Sequence, residues 1–293
     1  MHDIGIRIIQ SSTPLYEVLR QLKKNRAATS SLVIILFLLF IAMIGPFIAP
    51  HDPLEQNLEK RLLAPNGEYL LGTDDLGRCI LSRIIYGTRI SLQIGIIVVG
   101  IAAAIGITLG AVAGYYGGIV DEIIMRMVDI MLSFPGIILA LAIAGAFGPS
   151  LFNVMLALAF VHWTGYARLM RGSVLSVKEK GFIEAAHAIG ASSVRIMFHH
   201  ILPNCMAPVI VMATLGMACV ILAAAALSFL GLGAQPPTPE WGAMLNRGRA
   251  FMRTAPHLMI FPGLMIMVTV LAFNLLGDGL RDVLDPRLKG MIK

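Results

Sequence analysis

The residues with the most to say about chemistry form a polar cluster between apolar segments. It reads Glu184-Ala185-Ala186-His187-Ala188-Ile189-Gly190 and then, after nine further residues, His200-Ile201-Leu202-Pro203. Ala185, Ala186 and Ala188 are strong helix formers. Glu184 stands near the start of that helix, where the macrodipole favours an anion, and its carboxylate is available to a basic residue of a partner. Gly190 permits the positive φ that a sharp reversal after the helix requires. Such a cluster is equipped to grip another protein, not to make or break bonds.

The other reactive side chains are scattered. His162 is a single imidazole, either a substrate or transition-metal contact or an interfacial residue beside Trp163. His187, His199 and His200 read as a solvated loop, because the adjacent His199 and His200 point to different faces of any helix. Asp129 is the charge that intrudes furthest into an apolar run, either a gate or inter-subunit contact or a helix start at the headgroup level. Cys79, Cys205 and Cys219 have neither a pairing pattern nor metal spacing. The sequence has no catalytic triad, carboxylate pair, zinc set or Gly-x-x-x-x-Gly-Lys-Ser/Thr phosphate loop. It therefore reads as a non-enzyme with no cofactor or metal of its own.

What must position these residues is a membrane-spanning scaffold. The chain of 293 residues is 57% hydrophobic and 14% charged, with a mean hydropathy of +0.80, too apolar for a soluble domain. Asp, Glu, Lys and Arg are absent from residues 27–50, 90–120, 130–167, 196–239 and 254–277. A helix needs about 20 apolar residues to cross the hydrocarbon core. Residues 130–167, interrupted by Gly148-Pro149-Ser150, divide into two spans, so six transmembrane helices are expected in an all-α membrane protein. The first starts after a polar segment, lacks a small-residue cleavage site and reads as an anchor. Gly100, Gly106, Gly110 and Gly114 should let the second helix approach a neighbour closely. Phe134-Pro135-Gly136 should kink the third, just after Glu122 and Arg126, spaced to pair on one helix face.

With alternating spans and a cytosolic amino terminus, the larger share of the 23 Lys and Arg falls on the cytosolic side, as the positive-inside rule asks. The net charge of +6 is then a topology signal, and no basic surface is left for nucleic acid. The expected organisation is a cytosolic amphipathic segment at 1–29, with Leu15, Val18, Leu19 and Leu22 on one face. A first helix at 30–50 and an external segment at 51–89 follow. The core occupies 90–278 and contains the cytosolic loop 168–203, and a tail runs over 279–293. Both termini are cytosolic in this reading.

The spacing of Glu184-Ala185-Ala186, Gly190 and Leu202-Pro203, in a loop between the fourth and fifth spans, resembles the coupling loop of permease subunits of bacterial ATP-binding-cassette importers. The external segments strengthen the resemblance. Leu71-Gly72-Thr73-Asp74-Asp75, Gly77-Arg78, Gly87-Thr88-Arg89-Ile90-Ser91-Leu92, Gln235-Pro236-Pro237-Thr238-Pro239-Glu240-Trp241-Gly242 and Leu284-Asp285-Pro286 are similar to the dipeptide, oligopeptide and nickel group. Within that group the chain resembles the second permease subunit. Two departures stand out: Cys79 replaces an aspartate that usually follows Gly-Arg, and His200 replaces an apolar residue.

The resemblance implies a type I importer permease fold in the bacterial cytoplasmic membrane. It also implies a second homologous permease, two ATPase subunits that bind ATP and Mg, and an external substrate-binding protein. In that setting Glu184, Ala185, Ala186, Gly190, Leu202 and Pro203 would form the ATPase-coupling loop, and import would proceed by alternating access. The implied cargo is a di- or oligopeptide, glutathione, or nickel or a nickel chelate, with His162-Trp163 resembling the nickel type. A secondary transporter and a non-transporting scaffold are the alternatives, and the absence of a charge at the centre of any span counts against ion coupling.

Overall fold

The computed structural model describes residues 20, 22, 23 and 25–284, and among them the named elements are all helical. Helix α1 (Arg26–Ile48) is capped by Asn25, whose side chain accepts from the Ala28 N–H at 3.2 Å. Helix α2 (Ile80–Tyr116) has 37 residues. It begins before the apolar run does, because its first turns carry Arg83 and Arg89, which the absence of charge could not signal. The link between α1 and α2 is correspondingly shorter than 51–89. Gly45-Pro46 lies inside the last turn of α1 and does not end it.

Helices α3 (Gly118–Leu132) and α4 (Gly136–Phe147) meet at 87°. The expected kink is a full break: Ser133 and Phe134 leave the helix, and Pro135, which has no N–H to donate, becomes the N-cap of α4. Helix α5 (Leu151–Lys178) leads into α6 (Gly181–Ala188), then a single turn (Ser193–Arg195) and a π-helical stretch (Ile196–Ile201) that runs straight into α7 (Leu202–Phe229). Helix α8 (Trp241–Gly248) and helix α9 (His257–Leu284) complete the described chain.

Among the described residues four segments are long and apolar enough to cross a membrane: α1, α2, Ser193–Phe229 and α9, with the bent α3–α4 pair as a fifth. Helix α5 has 28 residues, a length of about 42 Å, but it is more polar, with Asn153, His162, Arg168 and Arg171 along it. These six segments occupy the six expected positions.

Glycines seat α5 against α2. A Cβ at Gly106, Gly110 or Gly114 would collide with the α5 backbone or side chains at Trp163–Ala167, Met170 and Val174. Gly100 is not part of this seam, since nothing approaches it within 4 Å. Leu22 packs with Ala28 and Val283, while Leu15, Val18 and Leu19 lie outside the described residues. So do Asp285 and Pro286, although the segment assigned to the tail is helical as far as Leu284.

Two opposite faces result. Lys178 at the end of α5 donates to the Tyr115 carbonyl near the end of α2 at 2.7 Å, and α6 follows on that face. On the other, the Trp241 Nε1–H of α8 donates to the Ile84 carbonyl at 3.3 Å.

Candidate functional site

Helix α6 has an inner and an outer side. Ile183 and Ala186 are buried against a cluster that includes Ile196, Ile201 and Cys205, which burial of apolar surface favours. Glu184, Ala185 and His187 are exposed. The two alanines of the motif are therefore not equivalent: Ala186 is small because it is packed, and Ala185 because it faces outward. In the same loop the large apolar side chains of Phe182, Ile189, Val194 and Phe198 remain exposed. The motif spacing does not mark them; their signal in the sequence is apolar residues inside an otherwise polar loop.

The end of α6 is fixed by its backbone. Gly190 has φ +78°, the Gly190 N–H donates to the His187 carbonyl at 3.0 Å and the Ala191 N–H to the Ala186 carbonyl at 3.1 Å. This pair of bonds is a Schellman closure, in which glycine takes the left-handed position without steric penalty. Leu202 and Pro203 sit inside a continuous helix and not in a loop. The Leu202 N–H reaches back to the Met197 carbonyl, the wider π register. Pro203 donates nothing, and the Asn204 side chain donates to the His200 carbonyl at 2.7 Å. The departure at His200 thus leaves its backbone carbonyl satisfied.

Among the described residues three ion pairs involve the bent segment. Arg171 of α5 holds Asp121 of α3 through Nε–Oδ1 at 2.5 Å and Nη2–Oδ2 at 2.6 Å. Arg168 holds Asp129 at 2.6 Å, so Asp129 ties α3 to α5. Glu122 and Arg126 pair at 3.7 Å on the exposed face of α3. His162 lies on α5, its Nδ1 2.9 Å from the Leu158 carbonyl. It lines a cleft of about 340 Å³ beside the α3–α4 break, together with Gly136, Ile137, Thr164 and Met212.

On the opposite face, Asp74 organises the link into α2. Its Oδ1 accepts from the N–H groups of Leu76 and Arg78 at 2.9 and 3.0 Å, and its Oδ2 from Arg78 Nε at 2.7 Å. Arg83, also buried, donates to the Pro53 carbonyl at 2.9 Å. Cys79 is the N-cap of α2 and makes no side-chain cap bond, so its departure falls on a position where aspartate would cap the helix. Glu240 caps α8 by accepting from Gly242 and Ala243, each at 2.8 Å. Burial raises its carboxyl above the ordinary range, and those two N–H groups act in the opposite direction.

The family described as "Binding-protein-dependent transport system inner membrane component" matches residues 106–290. The chain belongs to this family. The "N-terminal TM domain of oligopeptide transport permease C" matches residues 13–65 of the permease. The permease is 51% identical over 277 residues to the dipeptide transport system permease protein DppC of Alkalihalophilus pseudofirmus, covering 94% of this chain and 91% of that one. It is 46% identical over 285 residues to the glutathione transport system permease protein GsiD of Escherichia coli O157:H7, covering 96% and 93%. A chain of the MetNI methionine ABC transporter, solved in inward-facing conformations, matches with a TM-score of 0.57 at 20% identity over 69% of this chain and 96% of that one, a likeness of fold. The protein is thus an inner-membrane permease subunit of an ATP-binding-cassette importer.

Proposed function

We propose that this permease imports di- or oligopeptides, glutathione among them, by alternating access driven from α6. The α6 surface carries the proposal. An exposed carboxylate, Glu184, shares the loop with the exposed apolar side chains of Phe182, Ile189, Val194 and Phe198, on a helix anchored by Ile183 and Ala186. That combination suits a soluble ATPase subunit, which would bind the ATP and Mg and transmit its closure through α6. Gly190 keeps the helix end sharp, and Leu202-Pro203 leads the force into α7 without a loop. Cargo is inferred from the relatives, whose names specify dipeptide and glutathione transport.

The working unit would hold a second homologous permease, two ATPases and an external binding protein. The α6 face and both termini would be cytosolic, a reading supported by the excess of Lys and Arg on that face. His162, in the cleft at the helix break, is proposed to face the cargo, and Asp129 to steady the gate through Arg168.

The test is uptake of a labelled dipeptide and of labelled nickel in cells with and without the permease. Loss of dipeptide uptake is expected. Loss of nickel uptake alone would replace the peptide assignment with a metal one.

A further inference from the structure

The face opposite α6 holds a cleft of about 640 Å³ between the end of α1 and the first turns of α2, lined by Pro46, Asp52, Tyr86, Arg89 and Gln93 among others. Arg89 and Gln93 are both exposed. At the same four-residue step the row continues as Ile97, Ile101 and Ile105, all exposed large apolar side chains; each step turns about 40° around α2, so an oblique row winding along the helix changes from cationic to apolar.

Depth fits this change. At about 1.5 Å per residue, Arg89 stands about 40 Å from the Tyr116 end of α2, beyond a hydrocarbon core about 30 Å thick. Tyr115, Tyr116 and Lys178 mark the far interface, where aromatic and basic residues gather. Arg89 is then at the phosphate level of the leaflet on the α8 side, and Ile97–Ile105 lie among its acyl chains.

The charges in the cleft are of both signs. Among the described residues neither Arg89 nor Asp52 makes an ion pair within the chain. Asp52 gives one carboxylate oxygen to the Leu54 N–H at 2.8 Å and keeps the other. A cation and an anion over an apolar stripe match a molecule with a phosphate, an amine and a long hydrocarbon tail. A short peptide would supply the two charges but not the tail, and a purely anionic lipid would meet Asp52 unfavourably.

We propose that this cleft binds one zwitterionic, amine-headed phospholipid, with its phosphate on Arg89, its amine on Asp52 and an acyl chain along Ile97, Ile101 and Ile105. The assembled transporter is placed in nanodiscs of equal phosphatidylethanolamine and phosphatidylglycerol, and the lipid retained on extraction is identified by native mass spectrometry. The wild type should retain phosphatidylethanolamine in excess. Arg89→Gln should lower that retention about tenfold, the effect of losing one charge-assisted hydrogen bond, while Arg89→Lys keeps most of it. Asp52→Asn, at an exposed position outside any helix, should abolish the preference over phosphatidylglycerol, and it decides the matter if Arg89→Gln fails to assemble. Retention no greater than the bulk mixture, an unchanged preference in Asp52→Asn, or displacement of the lipid by a labelled dipeptide would overturn the proposal, the last in favour of a peptide subsite.

Discussion

Arg171 of α5 aligns two guanidinium nitrogens with the two carboxylate oxygens of Asp121 on α3, at 2.5 and 2.6 Å. The paired geometry fixes direction as well as distance. It joins the helix that delivers the chain to α6 with the helix that breaks at Pro135. In the proposed mechanism a displacement of α6 would reach the bend through this short, oriented link. Asp121→Asn and Arg171→Met should each cost about 1 kcal/mol, since the pair is only partly shielded from solvent. The double variant should be no worse than either single one. Thermal melting of the assembled transporter checks this, and additive losses would mean that the two side chains act separately.

Gly190→Ala places a Cβ in the left-handed region and should destabilise the end of α6 by about 1 kcal/mol. Gly181→Ala, where no positive φ occurs and nothing lies within 4 Å, serves as the control. Substrate-stimulated ATP hydrolysis by the reconstituted transporter should fall severalfold in the first variant and stay unchanged in the second.

The two motif alanines should separate cleanly. Ala186→Leu forces three more carbons into the packing around Ile196 and Ile201 and should cost about 1–3 kcal/mol, seen as loss of folded permease by size-exclusion chromatography. Ala185→Leu should leave the permease folded and weaken ATPase binding instead, measured by co-purification.

This separation marks how far the residues could be read before the fold was known. Glu184, the alanines and Gly190 announce a helix and its stop, because capping and propensity are local. The assignment of Ala186 inward and Ala185 outward depends on Ile196 and Ile201, which come round only when the chain turns back. The Arg171–Asp121 pair joins residues fifty positions apart, and no spacing rule reaches that far. Pro135 signals a disturbance but not its size, an 87° break between α3 and α4. The charge pattern located the spans yet cut α2 short, because a helix continues through Arg83 and Arg89 once their guanidinium groups have partners or solvent.

Cys79 offers a gain-of-stability test. The position caps α2 without a side-chain acceptor. Cys79→Asp should supply the missing acceptor and raise stability by about 1 kcal/mol, read as a higher melting temperature in detergent. Cys79→Ala should bring no such gain.

In the proposed mechanism α6 couples ATP hydrolysis to import through the exposed Glu184 carboxylate. The direct measurement is dipeptide uptake and ATP hydrolysis in proteoliposomes carrying Glu184→Lys beside the wild type. The variant should assemble fully while its substrate-stimulated hydrolysis and uptake both fall at least tenfold. Wild-type rates of both in the assembled variant would rule out coupling through Glu184.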